Sequence, residues 1–451
     1  MDWTKKHLSK IGNKERSFDD FLPEFLCSDS ENTAEPEVNA YLKLRQEIEP
    51  WLSAIFQSEH LSLLVGNGLT LGISQIAGVK PPEYKRPEFE IDKDKIREYA
   101  DKTAKTMDRG EANFEDDLRT ANLLLNGLNV LQKNDKAKIL KSNIDTILED
   151  LIKSIIYTER CFVNNLFSDE LELHQKGIKA LEILKSFFSS FASRVASRDR
   201  LNIFTTNYDR FIEFANDEAG ILSLDRFRGT LYPIMRNTRL ELDYHYNPPG
   251  IRGEPRYVEG VVRFTKIHGS IDWRFENHNI IKELLPFGAD ENHPIIKRLS
   301  ECAVIYPNSS KAIETAFYPY SELFRDFSAA ICKPNSTLVT YGYGFGDSHI
   351  NQIINDMLTI PSTHVVIIAY DKISENGVSP IRDRIRKFFE SNPSQITLLI
   401  GDHLGAIENL TEYYLPKPAI DRITEKAIRI KFGREPEDKL INNNTPQVNE
   451  H

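Results

Sequence analysis

The chain has 451 residues, enough for more than one domain and a sizeable buried core. Its 40% hydrophobic and 27% charged residues are an ordinary globular composition, and 57 Lys and Arg against 67 Asp and Glu leave a net charge of −10. That balance argues against direct nucleic-acid binding over a broad face. No apolar run reaches the roughly 20 residues of a membrane span, and the N-terminal stretch has no apolar signal segment, so a cytoplasmic chain away from the membrane is expected.

Residues 1–36 are polar and mixed and read as a loosely attached N-terminal arm. Residues 37–58 carry helical apolar spacing, with Pro50 marking a break or kink. LSLLV (61–65) reads as a strand and runs straight into GNGLTLG (66–72), a glycine turn opening a helix. Next, NIDTILEDLIKSIIY (143–157) places Ile144, Ile147, Leu148, Leu151, Ile152, Ile155 and Ile156 on one helical stripe, which Ser142 or Asn143 can cap. Residues 178–195 repeat the pattern, so 76–200 reads as a large helical insertion.

From 201 strands and helices alternate: LNIFTT, VVRFTKIHGS (261–270), CAVIYP (302–307), STLVTYGYGFG (336–346), HVVIIAY (364–370) and QITLLIG (395–401), with helices over 313–332, 348–358 and 379–390. Apolar runs without polar alternation suit a parallel sheet covered on both faces. The fold class is therefore α/β, a doubly wound parallel sheet assembled from 37–75 and 201–415. Residues 225–260 form an irregular insert, and 416–451 a C-terminal segment whose end past 432 is expected to be disordered.

Four stretches offer chemistry. The glycines of GNGLT, Gly66 and Gly68, let backbone amides approach a phosphate at a helix N-terminus, with Asn67 and Thr70 beside them, although any tight turn after a strand looks similar. TTNYD (205–209) brings Thr206, Asn207 and Asp209 out at a strand end, where a ligand crevice forms in such sheets, and where Asn and Asp also serve as caps. His268 in KIHGS is a candidate proton acceptor at another strand end. Gly342 and Gly344 form a second glycine turn. Asp347 and His349, just beyond it, read as a helix cap and a helix-surface residue. Asp371, directly after VVIIAY, stands where a carboxylate can bind ribose hydroxyls. Cys27, Cys161, Cys302 and Cys332 include no closely spaced pair, so no zinc site is expected.

The order strand-GNG, long insert, strand-TTNYD, strand-IHGS, strand-GYG resembles the layout of the sirtuin (Sir2) family, in particular its zinc-lacking members in bacterial anti-phage defence. GNGLT resembles the family's Gly-Ala-Gly-x-Ser turn, TTNYD its Thr-Gln-Asn-x-Asp stretch with Thr206 for Gln, IHGS its histidine motif, and GYG its Gly-Thr-Ser turn. The family's Asp-Phe-Arg triplet and four-cysteine zinc module have no counterpart here.

The resemblance implies that the chain uses NAD as a substrate and needs no metal. It assigns Asp209 to the nicotinamide carboxamide, Asn207 to a water or ribose hydroxyl, and His268 to the proton. It assigns Gly66, Asn67, Gly68, Thr70, Thr206, Gly342 and Gly344 to binding, to which Asp371 is added by its place after a strand alone. It implies an NAD hydrolase acting as an NAD-depleting anti-phage effector. Such an enzyme is expected to form a homo-oligomer and to answer to a HerA-type ATPase or a phage-derived activator. The alternatives are an NAD-dependent protein deacylase and a non-catalytic NAD or ADP-ribose sensor.

Overall fold

The computed structural model describes residues 1–19, 36–106, 112–194, 198–236, 243–246, 256–302, 319–372 and 379–417. Nine strands form the central sheet: β1 (His7–Ile11), β2 (Lys14–Phe18), β3 (His60–Val65), β4 (Asn202–Thr205), β5 (Leu222–Leu224), β6 (Val261–Lys266), β7 (Ser336–Tyr341), β8 (His364–Ala369) and β9 (Ile396–Ile400). Their order is β2-β1-β9-β8-β7-β3-β4-β6-β5. Every neighbouring pair from β9 to β5 is parallel, whereas β1 pairs antiparallel with both β9 and β2.

The N-terminal stretch thus departs from the loosely attached arm that its polarity suggested. HLSKI is held in the sheet by backbone pairing to β9, and the buried Lys10 ammonium is met by the carbonyls of Pro393 and Ile396.

The helices are α1 (Pro36–Phe56), α2 (Gly68–Ala77), α3 (Lys93–Thr106), α4 (Phe114–Val130), α5 (Asn134–Leu166), α6 (Leu171–Ala192), α7 (Phe211–Glu218), α8 (Pro294–Cys302), α9 (Tyr320–Ile331), α10 (Ser348–Leu358) and α11 (Pro380–Ser391). Strand side chains alternate between two cores, as the two-residue period requires. Leu61, Leu63, Val65, Ile203, Val366 and Ile368 pack with α1, α2, α6 and α7. Leu64, Phe204, Val365, Ile367 and Ile400 pack with α9, α10 and α11. A third core joins α3, α4 and α5 to Tyr208 and Ile271, which lie beyond the ends of β4 and β6.

The helical stripe at 144–156 is buried at Ile144, Leu151, Ile152, Ile155 and Ile156. The helix begins earlier than its expected cap, however, and runs through 142–143. The Asn143 carboxamide instead accepts from Glu90 N at 2.9 Å. α1 continues through Pro50, and the helix after TTNYD starts at Phe211. The CAVIYP strand past Cys302 and the C-terminal tail lie outside the described residues; Cys302 itself ends α8.

Candidate active site

The registers bring every parallel strand from β3 to β9, β5 apart, to one edge. Val65 pairs with Thr205 and Tyr341, Thr205 with Lys266, Tyr341 with Ile368, and Ala369 with Ile400. Asn207 and His268 therefore each stand two residues beyond the Thr205–Lys266 pair, on adjacent strand ends. Both line one cavity of about 1090 Å³.

The two glycine turns form the middle of that cavity by packing backbone against backbone. Gly66 N donates to Tyr341 O at 2.9 Å and Gly68 N to Gly342 O at 3.0 Å. A Cβ on Gly68 would lie 2.6 Å from Gly342 Cα, and one on Gly342, whose φ is +62°, 2.7 Å from Gly68 Cα. Any side chain at either position would push the turns apart. Around Gly344, by contrast, no atom lies within 4 Å of a Cβ position, so its missing side chain leaves open space in the cavity wall.

Three bonds hold the turn after β4: Thr205 Oγ1 donates to Val65 O at 3.0 Å, Asn207 N donates to Thr205 Oγ1 at 3.0 Å, and Thr206 N donates to Val65 O at 3.2 Å. From the neighbouring strand Lys266 Nζ donates to Asp209 O, and Ile271 N to Tyr208 O at 3.1 Å.

The Asn207 amide nitrogen spends both protons, on Gly66 O (3.2 Å) and Thr70 Oγ1 (3.0 Å). Because a carbonyl only accepts, this fixes the orientation of the carboxamide. Asn207 Oδ1 is left buried without a protein partner, and so is Asn67 Oδ1 nearby. Buried acceptors are ordinarily satisfied, so these two orphans are exceptions, both in residues that line the cavity.

The structure separates the expected site residues into two groups. Gly66, Asn67, Gly68, Thr206, Asn207, His268, Gly342 and Gly344 line the cavity. Thr70 and Asp209 are not among its lining residues: Thr70 Oγ1 donates to Asp209 Oδ2 at 2.6 Å, so Asp209 supports Asn207 through Thr70. Burial raises the Asp209 pKa, with Lys266 pulling the other way.

Asp371 does not line the cavity either. It pairs with the fully buried Arg382, Oδ2 accepting from Nε at 2.8 Å, and Tyr370 takes its place on the cavity wall. Asp347 is the N-cap of α10, as its position suggested, but it also meets His268 Nε2 through Oδ2 at 2.8 Å.

Helical periodicity gave no sign that Tyr84, Phe114 and Glu115 would join the wall. They do so beside Tyr208, whose hydroxyl donates to Glu115 Oε1 at 3.0 Å. Arg384, Asp402 and Glu408 add charge at the far side.

Aromatic and aliphatic walls, an open glycine turn and a few polar groups give the cavity the make-up of a small-molecule site. Among the described residues no cluster of three or more His, Cys, Asp or Glu could hold a metal ion, and no helix is long and apolar enough to cross a membrane.

Residues 201–392 match the SIR2-like domain. The SIR2-like region carries TTNYD, IHGS and GYG, while the first glycine turn precedes it and reaches the same cavity through β3. No curated protein matches the chain.

Proposed function

We propose that this chain hydrolyses NAD, breaking the bond between nicotinamide and ribose to give nicotinamide and ADP-ribose. In this reading residues 37–75 and 201–415 are a doubly wound, Rossmann-like catalytic domain, 76–200 a helical insertion in it, and 416–451 a C-terminal segment. One observation carries the proposal. Asn207 and His268, distant in sequence, line a single cavity with two interlocked glycine turns, and Asn207 keeps a buried acceptor unspent.

Asn207 Oδ1 would accept from a water or ribose hydroxyl at the reacting carbon. Thr70 and Asp209 hold that carboxamide in place from behind. The imidazole of His268 would take the proton as the water oxygen bonds to the sugar carbon and nicotinamide leaves with the bonding electrons. Positioned proton transfer of this kind is worth about 10²–10⁴ in rate. The transition state has oxocarbenium character, so gripping the sugar while releasing its leaving group supplies the rest.

Water is the acceptor in this reading because dispersed cysteines offer no zinc module of the deacylase kind and the helical stretch supplies Phe114 and Glu115 to the cavity wall. The family resemblance adds a setting: an NAD-depleting anti-phage effector in the cytoplasm, held silent until it assembles with itself, a HerA-type ATPase or a phage-derived activator.

Incubation of the purified chain with NAD alone, at several protein concentrations, tests the reading by chromatography of the products. Equal amounts of nicotinamide and ADP-ribose are expected without any acylated peptide. Turnover only with such a peptide would make the chain a deacylase, and binding without turnover would make it a sensor.

A further inference from the structure

The geometry points to Asp347 as the residue that sets the protonation geometry of His268, an inference that rests on the NAD-hydrolase reading for its kinetic consequence but not for its structural one. The two carboxylate oxygens have separate tasks. Oδ1 accepts from His349 N at 3.0 Å and Ile350 N at 3.4 Å, capping α10, while Oδ2 sits 2.8 Å from His268 Nε2. The cap fixes the carboxylate, and the positive end of the helix favours its negative charge.

An ionised carboxylate only accepts, so the imidazole nitrogen facing it must carry the proton. In the neutral ring this makes Nδ1 the nitrogen able to take another proton.

The turn that carries Asp347 is built more firmly than a helix cap requires. Phe345 holds a left-handed φ of +52° with its ring buried between Tyr343 and Phe388, at centroid distances of 4.9 and 5.2 Å. A bulky residue in that conformation stays there only when its surroundings insist on it. Tyr343 Oη bonds Asp347 O at 3.2 Å and Asn351 Oδ1 at 2.9 Å, and Asn351 Nδ2 donates back to Phe345 O at 2.9 Å. The GYGFGD stretch thus does two things: its first glycine interlocks with the GNG turn, and its last residue orients the imidazole. Asp347 is a positioning residue acting through His268.

Asp347→Asn tests this, because Asn caps a helix as well as Asp does and α10 should stay folded. With its amide oxygen kept on the cap of α10, its amide nitrogen faces Nε2 and can only donate, so it favours the opposite tautomer. In the full chain with ¹⁵N-labelled histidine, the resonance lost in His268→Gln should report a proton on Nε2 and a bare Nδ1. Asp347→Asn should shift that resonance toward the tautomer protonated on Nδ1. With NAD, kcat should fall about 10²-fold or more while KM stays within about threefold. A wild-type His268 protonated on Nδ1, or an unchanged tautomer in Asp347→Asn, overturns the inference. If the wild type releases no nicotinamide, the hydrolase reading falls, and the tautomer experiment still decides the role of Asp347.

Discussion

Asn207 and Asp371 occupy equivalent places, each just past the carboxyl end of a parallel strand, and they have opposite fates. Around Asn207, which lines the cavity, the protein satisfies the amide nitrogen twice and leaves Oδ1 buried and unpartnered. Around Asp371 the protein satisfies everything. Arg382 donates to its carboxylate, and the same guanidinium ties the carbonyls of Trp3, Lys5 and Lys6, locking the N-terminal strands onto the sheet. Two polar residues at equivalent strand ends thus differ in the hydrogen-bonding capacity that the fold leaves unspent.

Removing the Asp371 side chain should sharpen that contrast most. Asp371→Ala would leave Arg382 buried without a counter-charge, and losses on breaking such pairs run to about 3–5 kcal/mol. Urea unfolding should show this, while KM for NAD stays near the wild-type value wherever the variant is folded. A raised KM with unchanged stability would mean that Asp371 serves the ligand after all.

A smaller effect is expected from acid on the same side of the sheet. Burial lowers the pKa values of His7 on β1, His364 on β8 and His403 after β9 from 6.5 to about 4. For His7 burial outweighs the opposing pull of Asp402, 3.3 Å from Nε2. In the unfolded chain these groups titrate near 6.5, so between about 6.5 and about 4 the unfolded state binds more protons. Stability should therefore be full above that window and fall as pH drops through it, with amide exchange along β1 rising first. Flat stability across the window would contradict the account of that edge.

Much of the site was legible because its elements are local. Strand-forming runs ending in GNG, TTNYD, IHGS and GYG name the carboxyl edge, and parallel register then does the rest: once Thr205 pairs with Lys266, residues 207 and 268 must be neighbours. What escaped is non-local. Asp347 looks like a cap from sequence, and it is one; its second partner, His268, reaches it only through the fold. Asp371 looked like a ribose ligand because nothing in VVIIAYD foretells a fully buried arginine on the next helix. The strand HLSKI carries no alternating apolar signal, since its place depends on β9 and on carbonyls that receive Lys10. Phe114 and Glu115 open α4, which no periodicity singled out in the sequence, and only tertiary packing brings them to the cavity.

A double-mutant cycle on nicotinamide release tests the central claim most directly, that Asn207 and His268 serve one glycosidic bond. Asn207→Ala and His268→Ala should each slow release by about 10²–10⁴ in protein that remains folded. The double variant should be slower than the worse single by no more than about threefold, because residues acting as a unit are strongly non-additive. Losses that multiply, or either single variant retaining full activity, would show that the two side chains do not act on the same sugar.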